Sequence, residues 1–434
     1  MPGTRPIGVL ACSATLSLVA ASGPFTTVEQ RHGLRSPRSP RSADVSANGR
    51  FVAFESLAQL VSADVDQLLD IYVLDRTNST VTLETGDLDG ETECSSPRLS
   101  GDGRLLVFEV RNREVDRESR GDIVLRDRTA GTNRSLTGSI EDGGASAWSR
   151  GPSISEDGRF VAFSSASTTL VRGADANGPL EDVYLVRVSS GDIERVSLTS
   201  AGVQAARGTS ILPSLSADGR WIAFASTARL DETNPARLAH EAPVRSVFLR
   251  DVVTGITTKV ERAPRHQPNG DSSVPSLSGD GRFVAFASTA SNLSDHDGNR
   301  GMDIFLFDRE TTTLTRISRA ADGSSASGTS ANPVISGDGR YVVFQSEAAN
   351  LVCASRCARG DEDINLLFDV FVFDRNTGQT IRLSEDELGG WMEVSNGPSV
   401  DRNGTVVAFS SKHPVDAGDD REDMDLFVRQ LNTN

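Results

Sequence analysis

The sequence predicts an all-β fold: a seven-bladed β-propeller of four-stranded antiparallel blades, its ring closed by an N-terminal strand. Three observations carry this. One turn-and-strand phrase recurs seven times along the 434 residues. A second strand phrase follows each copy after a loop. The strands are apolar at consecutive positions, so each one needs cover on both faces.

The first phrase reads Ser, any residue, Asp or Asn, Gly, Arg, then a β-rich run ending in Phe. It stands at Ser46 to Phe54, Ser100 to Phe108, Ser155 to Phe163, Ser216 to Phe224, Ser278 to Phe286 and Ser336 to Phe344, with a weaker copy at Asp401 to Phe409. Its glycines (Gly49, Gly103, Gly158, Gly219, Gly281, Gly339 and Gly404) lie 54 to 65 residues apart. That spacing is in or above the range of propeller blades. Asp-Gly or Asn-Gly supplies the tight turn, because Gly takes positive φ without steric cost. A lone hairpin cannot bury runs such as Phe51 to Phe54 or Phe283 to Phe286, whereas a blade between two neighbours can.

The second phrase begins with Asp at Asp70, Asp122, Asp182, Asp303, Asp369 and Asp425, and with Ser at Ser246. A Thr/Gly-rich turn and a fourth strand follow, as in Thr313 to Ser318. Four strands seven times over is a propeller composition. Pro97, Pro152, Pro213, Pro275, Pro333 and Pro398 sit in the first strand of six repeats. Proline is tolerated only at a sheet edge, so this strand is the innermost, its free edge towards the channel. The last repeat stops at Leu431, before any fourth strand. Thr26 to Arg31 resembles the missing strand in character and is expected to pair with the seventh blade, which removes the exposed edges.

Residues 1–22 read as a signal peptide: Arg5, an apolar run from Ile7 to Ala20, then small residues at Val19-Ala20-Ala21-Ser22. The propeller then occupies 23–434. No later stretch has 18 continuous apolar residues, so no transmembrane segment is expected in the mature chain. The expected destination is the periplasm or the extracellular medium. The formal net charge of −16 argues against a nucleic-acid partner, which needs a positive footprint. In an oxidising compartment Cys353 and Cys357 are expected to form a local disulfide. Cys94 stands in the register of Ser149, Ser210, Ser272, Ser330 and Ser395, three residues before the repeated Pro, and reads as a small substitute for Ser.

Pro275 to Ser288, Pro-Ser-Leu-Ser-Gly-Asp-Gly-Arg-Phe-Val-Ala-Phe-Ala-Ser, resembles the TolB-like repeat, also called PD40 or WD40-like. The resemblance extends over roughly residues 40 to 430. It implies a propeller and leaves function open, because such repeats serve scaffolds, peptidase propeller domains and some polysaccharide lyases. Two departures stand out. There is no room for the N-terminal α/β domain of TolB itself, and the family's turn Pro is replaced by Gly, Ala or Glu.

Acidic residues precede the third-strand Asp by six positions at Asp64, Asp116, Asp297, Asp363 and Asp419. Two readings stay open. Hard cations take several oxygen ligands, so these loops can hold Ca²⁺, with Asp295, Asp297, Asn299 and Asp303 the leading set. Alternatively the carboxylates accept backbone N–H groups and fix loop shape. At the channel mouth, Trp148, Arg150, Asn332, Trp391 and Asn396 are candidates to stack on and hydrogen-bond a sugar or peptide. The five His residues belong to no repeated motif, and no Gly-x-Ser-x-Gly elbow is present. The expected function is therefore that of an exported, monomeric, non-enzymatic binding or scaffold propeller for a protein, peptide or glycan. The alternative is a secreted polysaccharide lyase or hydrolase with its site in the channel.

Overall fold

The computed structural model describes residues 16–18, 25–30, 42–88, 92–112, 121–138, 148–232, 244–261, 267–295, 297–299, 301–352, 367–384, 392, 394–412 and 424–433. Every regular element among them is a β-strand. β1 (Leu16–Leu18) and β2 (Phe25–Gln30) precede the repeats. Blade one comprises β3 (Ala43–Val45), β4 (Phe51–Ser56), β5 (Asp70–Asp75) and β6 (Thr80–Leu83). Blade two has β7 (Thr92–Leu99), β8 (Leu105–Asn112), β9 (Gly121–Asp127) and β10 (Thr132–Ser135). Blade three has β11 (Ser149–Ile154), β12 (Phe160–Ser165), β13 (Asp182–Arg187) and β14 (Ile193–Arg195). Blade four has β15 (Ser210–Leu215), β16 (Trp221–Ser226), β17 (Ser246–Asp251) and β18 (Ile256–Lys259). Blade five has β19 (Ser272–Leu277), β20 (Phe283–Ser288), β21 (Asp303–Asp308) and β22 (Thr313–Arg316). Blade six has β23 (Ser330–Ile335), β24 (Tyr341–Ser346), β25 (Asp369–Asp374) and β26 (Gln379–Arg382). Blade seven has β27 (Ser395–Val400), β28 (Val406–Ser411) and β29 (Asp425–Thr433), with β2 and then β1 on the far side of β29.

Strands within each blade pair antiparallel in chain order. The innermost strand of each blade touches that of the next, and β27 touches β3, so the blades form a circle. Burial explains the arrangement. In β4, Val52 and Phe54 pack into a cluster shared with blade seven, while Ala53 between them packs into one shared with blade two. In β20, Phe283, Ala285 and Ala287 face blade six, and Val284 and Phe286 face blade four. Seven apolar clusters fill the seven junctions between blades. Six blades also carry a stacked aromatic pair between their second and third strands, such as Phe286 on Phe305 at 5.7 Å.

The repeated turn is held by its own side chains. Ser278 Oγ donates to Asp280 Oδ1 (2.6 Å) and accepts the Phe283 N–H (2.9 Å), while Asp280 Oδ1 accepts the Arg282 N–H (2.9 Å). Arg282 then pairs with Asp308 at the end of the third strand (2.8 Å). The same set recurs at Ser216, Asp218, Arg220 and Asp251. In blade seven Asp401 replaces the Ser and accepts the Thr405 and Val406 N–H groups itself.

Each innermost strand from blade two onwards bends at its proline. The residue before that proline has positive φ: Ser96, Gly151, Leu212, Val274, Asn332 and Gly397, at 50° to 62°. The register with the second strand slips at the same place. Each is a β-bulge, which lets a strand carry Pro and bows it at the sheet edge.

Gly281 has φ +68°, and a Cβ there would lie 2.4 Å from Trp221 Cδ1 in the preceding blade. Gly191 has φ +76° with no atom within 4 Å of its would-be Cβ. Gly191→Ala is expected to cost about 1 kcal/mol, the positive-φ penalty alone, and Gly281→Ala about 1–3 kcal/mol more. Equal urea midpoints for the two variants would show that the turn glycine is not needed for the blade contact.

Candidate functional site

The innermost strands surround a lumen containing a cavity of about 290 Å³. The residue after each proline position faces its neighbour across a blade junction there. At this register stand Asp44, Arg98, Ser153, Ser214, Ser276, Val334 and Ser399. The serines tie blade to blade: Ser153, Ser214, Ser276 and Ser399 accept the N–H groups of Leu215, Leu277, Ile335 and Val45 at 3.0–3.1 Å. Asp44 does the same for Leu99 N–H at 2.8 Å. Burial in the lumen raises the Asp44 carboxyl to about 6, and the nearby Arg98 guanidinium only partly offsets this. Arg98 donates to Ser42 Oγ (3.3 Å) and to the Pro97 carbonyl (2.9 Å). At this register the wall is thus small or apolar except for one acid and one guanidinium side by side on blades one and two.

At the turn end, successive hairpins join through their backbones. Gly101 N–H donates to Glu156 O, Ala217 to Gly279 O, Gly279 to Gly337 O and Arg402 to Ala47 O, at 2.8–3.3 Å. At the other end, Ser149, Ser210, Ser272, Ser330 and Ser395 are buried in hydroxyl pairs with Ser165, Ser226, Ser288, Ser346 and Ser411 (2.9–3.0 Å). They pin strand one to strand two and do not form a rim. In blade two the same register pairs Cys94 with Val110, both buried among apolar side chains. Cys94 is a packing residue there.

The mouth residues expected from the sequence fall in separate places. Trp148 is half-buried under the Arg111 guanidinium, 4.1 Å from its ring centroid. Arg150 is exposed and paired with Glu181 at 2.6 Å. Asn332 sits exposed at the apex of the blade-six bulge, and the Asn396 amide lies 3.8 Å from Met424 Sδ. Trp391, the Cys353–Cys357 pair and all five His residues lie outside the described residues.

In five blades the third-strand Asp (Asp70, Asp122, Asp182, Asp303 and Asp369) is a buckle to a hydroxyl just beyond the fourth strand. Ser318 Oγ donates to Asp303 Oδ1 (2.7 Å) and accepts the Ile304 N–H (2.9 Å). Ser197 does so for Asp182 and Val183. In blade four the roles are exchanged: Ser246 opens the third strand and Glu261 accepts the Val247 N–H. Of the set expected to hold Ca²⁺, Asp297 and Asp303 flank the Arg316 guanidinium at 3.5 and 3.3 Å. Asn299 Nδ2 donates to the Gly328 carbonyl, and Asp295 is exposed. Arg195 lies likewise between Asp175 and Asp182 in blade three. In blade one the carboxylate oxygens of Asp64, Asp66 and Asp70 lie within 4.8 Å of one another, and Leu83 stands where those blades carry Arg.

No protein-family model and no curated protein matches the chain. Among solved structures it is similar to oligogalacturonate lyase from Vibrio parahaemolyticus, at 12% identity and TM-score 0.54 over 96% of this chain and 97% of that one. It is similar to the β-propeller domain of the Trilobed protease from Pyrococcus furiosus, at 13% identity and TM-score 0.52 over 91% and 97%. TolB from Acinetobacter baumannii matches at 14% identity and TM-score 0.42 over 89% and 83%. At these identities the first two likenesses show the propeller fold alone.

Burial pushes the Glu261 carboxyl up to about 7. The folded chain therefore holds this proton more tightly than the unfolded chain, and stability falls as pH rises from 4.5 to 7. Asp44, Asp70 and Asp182, each raised to about 6 chiefly by burial, act in the same direction. Calorimetry at pH 5 and pH 8 is expected to give a smaller difference in melting temperature for Glu261→Gln than for the parent. An unchanged difference would mean that Glu261 is ionised throughout.

Proposed function

We propose that the chain is an exported, non-enzymatic propeller that takes part of a protein, peptide or glycan into its channel from the loop face. The observation that carries this is the Asp44–Arg98 pair. In a ring of seven near-equivalent positions, two adjacent blades place a fixed acceptor and a fixed donor where the other five carry Ser or Val. Such a wall gives an asymmetric ligand one orientation, and pockets of this kind get their specificity from few polar groups. The net charge of −16 supports a ligand other than nucleic acid. The turn phrase supports a repeat of the TolB-like kind. The sequence pattern of residues 1–22, which reads as a signal peptide, supports export.

A second reading, a lyase or hydrolase of the channel, is favoured by Asp44 itself. A carboxyl raised to about 6 beside a guanidinium can move a proton near neutral pH. Peptide and oligosaccharide arrays, together with turnover assays on oligogalacturonate, separate the two. Binding is expected to weaken about tenfold or more in Arg98→Ala, the loss of one buried charged contact. Turnover that disappears in Asp44→Asn would replace the binding reading with the catalytic one.

We also propose that β2 closes the ring. Its pairing with β29 from Phe25↔Thr433 to Gln30↔Val428 supports this. Removing residues 1–22, which takes away only the three-residue β1 at the outer edge, is expected to lower the melting temperature far less than removing 23–34 as well, which is expected to lower it by several degrees. A chain without 1–34 that melts with the parent would reject this closure.

A further inference from the structure

The collar at the turn end is built from one residue of each hairpin, the one between Ser or Asp401 and the Asp or Asn of the turn. These are Ala47, Gly101, Glu156, Ala217, Gly279, Gly337 and Arg402. Five of the seven are Gly or Ala and leave the centre open. The other two carry opposite charges. They stand on blades three and seven, on opposite sides of the ring, and Arg402 Nη1 meets Glu156 Oε2 at 2.6 Å. The path of the Glu156 side chain is visible from its neighbours. A Cβ on Gly337 would lie 2.9 Å from Glu156 Oε1 and 2.8 Å from Arg402 Cγ, and a Cβ on Gly279 would lie 3.2 Å from Glu156 Oε1. The carboxylate therefore runs across the opening, over two glycines that leave room for it.

Two hollows meet at this pair. The lumen lies on one side and a shallow depression on the turn face lies on the other. Glu156 and Arg402, with Ala47, Gly101 and Ala217, line both. We infer that the Glu156–Arg402 ion pair is a gate across the turn end of the channel. With the pair made, the lumen is a blind pocket that admits a small molecule or the end of a linear chain from the loop face. With the pair broken, it is a tunnel through which a strand can pass. Side-chain exposure of 54% for Arg402 and 25% for Glu156 leaves the pair open to salt, which makes it breakable without unfolding the collar. The consequence for ligand length rests on the channel being a binding site. The gate itself does not, and labelling of the lumen needs no ligand, so either reading can fail alone.

The test uses the full chain with Cys12, Cys94, Cys353 and Cys357 replaced by Ser or Ala and one reporter thiol, Ser276→Cys, in the lumen wall three residues from the collar. A methanethiosulfonate on a linker of about 10 Å, carried by a protein too wide for either mouth, is the probe. Offered at the turn face, it spans the three residues to the reporter, at about 3.3 Å each, whereas the loop mouth lies further away. The labelling rate therefore reads passage through the turn end alone. Glu156→Ala with Arg402→Ala is expected to speed labelling on the order of tenfold, since thiol exchange rates follow access. Gly337→Ala, which keeps both charges and displaces the carboxylate, is expected to speed it as well. The exchange Glu156→Arg with Arg402→Glu is expected to return the slow rate. Salt at 1 M, about a 3 Å screening length, is expected to speed the parent and leave the double-alanine variant unchanged. Labelling of the double-alanine variant within about twofold of the parent, or a charge exchange that labels as fast as the double alanine, would overturn the gate.

Discussion

The molecule depends on one constraint: its second and third strands are apolar on both faces. A sheet with one dry face can stop at a single packing partner, whereas a sheet with two must find a neighbour on each side. A row of such sheets would still end in two bare faces, and only a circle removes them. The contact of β27 with β3, and the cluster that joins Val406, Ala408 and Val428 to Val52, Phe54 and Leu74, are the places where the circle meets itself. Radial packing then sets the dimensions of everything else. It leaves one strand edge per blade facing inwards, and the channel wall is those edges.

Polar buckles hold the apolar sheets in register, and most of them were legible in the sequence because each repeat rewrites them as a unit. Ser278, Asp280 and Arg282 are read directly from the turn phrase, and the structure uses each for a separate bond. The exchange of Asp303 and Ser318 for Ser246 and Glu261 is a paired change in which the acid moves from one strand to the other. The change from Ser149 and Ser165 to Cys94 and Val110 is likewise made on both strands at once. A repeat chain records its own contacts in this way. What the repeats could not reveal is backbone geometry. The edge proline was read as a strand position, but the bulge before it, with Val274 and Leu212 held at positive φ, follows from register slip that no residue type announces.

The candidate site was much less legible than the fold. Reading for aromatics and amides singled out Trp148, Arg150, Asn332 and Asn396, and these serve different neighbours in different blades. Asp44, Arg98, Glu156 and Arg402 escaped notice because each is an ordinary charged residue in its local stretch. Their signal lies across the repeats. Aligned on the turn glycine, the position after the proline reads Asp, Arg, Ser, Ser, Ser, Val, Ser, and the collar position reads Ala, Gly, Glu, Ala, Gly, Gly, Arg. In the first row two of the three departures from Ser are charged, and in the second both departures from Gly or Ala are. The acidic loops gave the opposite lesson. There the repeated carboxylates are mostly accounted for by Ser, Thr and Arg partners, as with Asp303 between Ser318 and Arg316.

A pseudo-symmetric ring makes this contrast physical. Residues that hold blades together must do the same task seven times, so they repeat, and burial keeps them from varying singly. Asp44 breaks the pattern in the most costly way available, since burial opposes its ionised form and a serine at the same register makes the equivalent bond to the next blade. A carboxylate that adds no structural bond beyond those its serine counterparts make, and loses solvation to stand there, is explained by something other than folding. The same reasoning applies to Glu156 and Arg402, whose backbone groups already bond into the collar without their side chains. The energy of the fold is spread evenly around the circle, and the places where the circle is uneven are the lumen wall at blades one and two and the opening between blades three and seven.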